Sequence, residues 1–185
     1  MAAGRVILRV TVGALMAGHG LQKLKGSFGG PGLGGTEQMM RALEMHPPKY
    51  QARAVALSET VGGALTALGF LSPLGPAMIT GTMATAIKKV HLKNGVWVTN
   101  GGFEYNAMII AAAFALAADG PGRASLDGLL GRQRSGLRWG ILALALALGA
   151  AAANLELARR MAASAQPEAP LATPSEPAGS EHASS

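Results

Sequence analysis

Residues 60–87 read TVGGALTALGFLSPLGPAMITGTMATAI, 28 positions without a charge, closed by Glu59 on one side and Lys88 on the other. One helical crossing of a bilayer takes about 17–25 residues, so the stretch is too long for one span and too short for two. The turn sequence Ser72-Pro73-Leu74-Gly75-Pro76 divides it, and two spans fit only if both flanking charges enter the membrane. Glu59 lies about 15 residues before the turn and Lys88 about 14 after it; at ~1.5 Å of rise per residue they reach the same depth. The stretch therefore predicts a membrane hairpin with an acid and a base level with each other near its open end.

Composition agrees. Of 185 residues 49% are hydrophobic, 14% are charged and few are aromatic, which points to a small integral membrane protein rather than a soluble domain. The net charge of +6 comes from basic residues spread between apolar runs. With no basic amphipathic block, the expected partner is the lipid bilayer and its anionic headgroups, not nucleic acid. Cysteine is absent, so disulfides, thiolate ligands and thiol redox chemistry within the chain are excluded. A redox role needs a bound cofactor or another protein.

Five apolar segments are expected to span: about 4–21, 54–71, 74–90, 103–118 and, from the region 136–158, a fifth helix uncharged from Trp139 to Leu155. The fold class is an all-α integral membrane protein, with a four-helix transmembrane bundle in 1–135 and one additional C-terminal transmembrane helix. Residues 159–185, rich in Ala, Pro, Ser and Glu, read as a disordered tail. Arg9 interrupts the first apolar run and no small-x-small site precedes His19, so a cleaved signal peptide is not expected. Counting basic residues in the connections puts ten on the side of the long loop and tail against six on the other, which makes the former cytoplasmic.

Helical spacing places charged residues on small-residue faces, which are expected to turn inward: Glu59 with Gly63 and Thr66, Lys88 with Gly81 and Thr85, and Glu104 with Met108, Ala111 and Ala115. Between the first two spans a glycine-rich run, 26–35, leads to Thr36 as the cap of a short helix over 37–45, with Met39, Met40 and Leu43 on its apolar side. The run lacks a preceding strand and a Walker lysine, so nucleotide binding is not expected.

Alternating crossings bring six ionisable residues to one end of the bundle: His19, Lys23, Glu59, Lys88, His91 and Glu104. In low dielectric such groups either satisfy one another or hold a polar ligand. Two histidines without cysteine or tight acidic spacing do not make a metal or haem site, so neither is expected. No nucleophile–base–acid set can be read from the spacing. Arg9 can reach toward Glu59 or toward the opposite headgroups.

The motifs HGLQKLKGSFGGPGLGGT from His19, SETVGGALTALGFLSPLGP from Ser58, AIKKVHLKNGVWVTNGGFEYN from Ala86 and GPGRASLDGLL from Gly120 together resemble the DoxX family over about 5–130. The resemblance implies a four-helix membrane bundle and a component of a membrane redox system, with a quinone as a possible ligand and a redox enzyme as a possible partner. It also implies a place in the bacterial cytoplasmic (inner) membrane. His19, Lys23, Glu59, His91 and Glu104 fall inside these motifs, but no established catalytic set comes with the family. A non-catalytic scaffold or assembly factor, its polar cluster purely structural, is the alternative, and the fifth span departs from the usual form.

Overall fold

The computed structural model describes residues 2–165, and the regular structure among them is helical. Helix α1 runs Ala2–Lys25 without a break at Gly20, so His19 and Lys23 share a face at i and i+4. A single-turn 3-10 helix, Ser27–Gly29, leads to α2, Gly32–Ala42. This helix starts earlier than expected, and Thr36 is not its cap. The Thr36 side chain is buried inside the helix and its hydroxyl donates to the Gly32 carbonyl at 2.7 Å.

Helix α3, Pro48–Leu68, opens with proline at its first position, where the missing N–H costs nothing. It closes on Gly69, whose φ of 60° and ψ of 50° are left-handed; the Phe70 N–H returns to the Leu65 carbonyl at 2.9 Å. The expected hairpin turn follows, and α4, Leu74–Ala86, runs back. Its last turn widens into a π turn over Ile87–His91. Short 3-10 turns at 92–94 and 98–100 precede α5, Glu104–Asp119; α6, Leu126–Leu129, and the long α7, Leu137–Ala165, complete the described chain. The tail expected from 159 is therefore helical as far as Ala165, and the rest of it lies outside the described residues.

Helix α3 packs against α1 on one side and α4 on the other, using adjacent glycines. A β-carbon at Gly63 would lie 2.6 Å from the Gly13 carbonyl oxygen, and one at Gly13 equally 2.6 Å from that of Gly63. Toward α4, a β-carbon at Gly62 would lie 2.8 Å from the Met78 β-carbon. Gly63 thus belongs to the α1 seam, not to the stripe shared with Thr66. Small residues here let the backbones meet and bring main-chain atoms of the helices into van der Waals contact.

Helix α7 lies against α4 and α5, with Ala147 over Gly81 and Gly140 over Phe114. Its far part ties to α3 through a reciprocal amide pair, Gln51 with Asn154, at 3.0 and 3.1 Å. Met40, Met45, Ala52 and Ala158 form a buried cluster at that end. The stripe expected to face inward on α5 instead faces out: Met108 is 62% exposed, while Asn106, Ala113, Leu116 and Ala117 are buried. Among the described residues one helix, Leu137–Ser164 within α7, is by itself long and apolar enough to cross a membrane.

The opposite end is held by backbone recognition. Buried Arg9 donates to the carbonyls of Pro121 and Ala124, at 3.3 and 2.7 Å, and so meets neither Glu59 nor the solvent. Buried Asp127 accepts from the N–H groups of Leu71 and Ser72, at 3.1 and 2.8 Å, which clamps the α3–α4 turn. Asp127→Ala is expected to cost about 2–3 kcal/mol, because two backbone donors lose a charged acceptor. Amide exchange at Leu71 and Ser72 should speed up well before global unfolding, and unchanged protection there would show that the clamp is not needed.

Candidate functional site

The tight α1–α3 seam sets up the site. At Gly20 the α1 backbone sits against Thr60 with no room for a β-carbon. One turn on, the Lys23 ammonium reaches the Glu59 carboxylate, Nζ to Oε2 2.6 Å, with the two side chains 20% and 5% exposed. A charge-assisted bond of this length in a largely water-free setting is among the stronger polar contacts available to a protein.

The pair lies on the wall of a cleft of about 590 Å³, within the ordinary range for small-molecule sites. Six of the nine methionines line it: Met16, Met39, Met40, Met45, Met78 and Met83. Thioether side chains are apolar and unbranched, and they adjust to irregular shapes. Helix α7 closes one side with Ala147, Ala150, Ala151 and Asn154. A deformable apolar chamber with a few polar groups at one end suits an amphiphilic molecule.

Of the six residues expected together, His19, Lys23, Glu59 and His91 line this cleft and Lys88 and Glu104 do not. Lys88 is exposed, and the level Glu59–Lys88 pair does not form. The cause is the π turn at 87–91: the wider i to i+5 turn shifts register by one residue, so Lys89 lines the cleft where α-helical spacing puts Lys88. Glu104, first residue of α5, instead accepts from the Val98 N–H at 3.0 Å and closes its own loop. His19 and His91 each engage Nδ1 locally, with Gln22 Oε1 at 3.0 Å and the Gly101 carbonyl at 2.8 Å.

The sequence model of the DoxX family matches residues 4–92, from the start of α1 through Lys23, Glu59 and His91. Residues 4–92 are a DoxX family segment. DoxX is a family of membrane proteins. No curated protein and no solved structure matches the chain. The DoxX match ends within the turn after His91, so α5 and α7 lie beyond it. The DoxX segment thus supplies the charged pair and all six methionines of the cleft, while its alanine wall comes from outside that segment.

Three features escaped the sequence reading. Lys89 needed the π turn, which leaves no compositional mark. The Gln51–Asn154 pair joins residues 103 apart. The methionines were visible as an apolar side of α2, yet their convergence with Met16, Met78 and Met83 depends on how α2 folds over the mouth.

Proposed function

We propose that this protein is an integral membrane protein, in the bacterial cytoplasmic membrane, that holds a quinone-like small molecule in the methionine-lined cleft as a component of a membrane redox system. In this reading α1, α3, α4 and α5 form the transmembrane bundle and α7 adds a fifth crossing. The shorter or more polar helices cross as packed members of that bundle, their ionisable groups turned inward. Large apolar side chains exposed on several helices support a lipid-facing exterior, among them Ile7 and Leu15 on α1, Leu57 and Leu68 on α3, and Ile141 and Leu146 on α7.

The observation that carries the ligand reading is the Lys23–Glu59 pair, nearly buried at the edge of an otherwise apolar chamber. Lys23 and His19 are the hydrogen-bond donors for an oxygen-bearing head, and Glu59 is the group placed to exchange protons with it. Without cysteine, electrons are carried by the bound molecule and by a partner enzyme. Purified full-length protein in nanodiscs should bind a short-chain quinone saturably, with binding about tenfold weaker in His19→Ala and in Glu59→Gln. Unchanged affinity in both variants, each checked for intact helicity, would remove the site.

One observation favours the alternative, a non-catalytic scaffold or assembly factor: Lys23 and Glu59 already satisfy each other and join α1 to α3. Such a protein would show no saturable binding and would co-purify with a stoichiometric partner.

A further inference from the structure

The charges lining the cleft do not balance. Lys23 is matched by Glu59, the one acid among the lining residues, whereas Lys89 is half-buried on the π turn and has no ion-pair partner among the described residues. Of the acids on the surrounding elements, Glu37 pairs with Arg41, Glu156 with Arg159 and Arg160, and Glu104 accepts from the Val98 N–H, while Glu44, between the lining residues Leu43 and Met45, is exposed and does not itself line the cleft. His91, also in the lining, donates from Nδ1 to the Gly101 carbonyl, which leaves Nε2 as its remaining polar atom. An ammonium facing an apolar chamber is costly to leave uncompensated.

We propose, resting on the reading of the cleft as a ligand site, that besides a neutral quinone it takes an acidic single-chain amphiphile, which competes for the same chamber. Its anionic oxygens, carboxylate or phosphate, lie against Lys89 with His91 alongside, and its apolar chain lies along the methionines. The π turn decides which lysine supplies this charge: with normal α-helical register Lys88 would take the place that Lys89 holds in the cleft.

The test uses full-length protein in nanodiscs of neutral phosphatidylcholine, titrated with hexadecanoate, hexadecyl phosphate, methyl hexadecanoate and a neutral decyl quinone. At least one of the two acids should bind about tenfold more tightly than the methyl ester of the same chain length. Which of the two acids binds tighter identifies the head. Lys89→Met should abolish the preference without weakening the ester, and Lys88→Met, one residue away but exposed, should keep it. Equal binding of acids and ester, or a preference unaffected by Lys89→Met, overturns the proposal. Tight binding of the quinone alone overturns it too while leaving the ligand site standing; binding of none of the four removes both.

Discussion

Lys23→Met lowers stability by about 3 kcal/mol, the largest loss expected from any single surface-reaching side chain in this protein. The change strands the Glu59 carboxylate, 5% exposed, against apolar neighbours with its only ion-pair partner gone. The magnitude sits at the lower end of the range for broken buried pairs because the Lys23 side chain keeps 20% of its exposure. Removing both charges is a different matter: Lys23→Met combined with Glu59→Leu replaces the pair by apolar groups of similar volume and should recover most of the loss. Denaturation of the wild type, both single variants and the double variant in one detergent measures the coupling directly. If the double variant is as unstable as the sum of the singles, the pair does not act as a unit.

Gly63→Leu is expected to separate α1 from α3, at a cost of about 3 kcal/mol or more, beyond ordinary overpacking because the obstruction is backbone. The space a side chain would need is taken by the Gly13 carbonyl and the Ala17 main chain, which cannot rotate away. Even Gly63→Ala should cost about 1–3 kcal/mol. Gly18→Ala provides the contrast in sign: it lies in the same seam's helix α1, has nothing within 4 Å of its added β-carbon, and should stabilise by roughly 0.5–1 kcal/mol through helix propensity. Thermal unfolding separates the two, and loss of the Lys23–Glu59 bond should accompany Gly63→Leu because the same seam positions both. Equal effects of Gly63→Ala and Gly18→Ala would show that the seam tolerates expansion.

Much of the chain's organisation was legible because it depends on local chemistry. The hairpin between α3 and α4 follows from uncharged runs on either side of Ser72–Pro76, and it forms where expected. The continuation of α1 past Gly20 is decisive, since it puts Lys23 within reach of Glu59. The inward stripe on α5 failed for a physical reason: alanine faces all round that helix, so composition carries little information about which face is covered. Glu104 and Lys88 failed because each sits at a helix end, where a loop or a change of turn type redirects the side chain.

Asp127 and Arg9 show the same limit from the other side. Each recognises main-chain atoms, and a backbone N–H or carbonyl looks alike at every position of a sequence. Their partners, 55 and more residues away, emerge only when the loop after α5 folds back over the α3–α4 turn.

By itself the sequence determined the apolar segments, the turn that joins α3 to α4 and the absence of thiol side chains, because run length, turn residues and residue type are local. The tertiary structure alone decided that Glu59 pairs with Lys23, that Lys89 replaces Lys88 at the cleft, and that α7 walls the chamber. Those outcomes turn on backbone approach at Gly13, Gly20 and Gly63 and on one extra residue in a helical turn, quantities that exist only once the helices are packed.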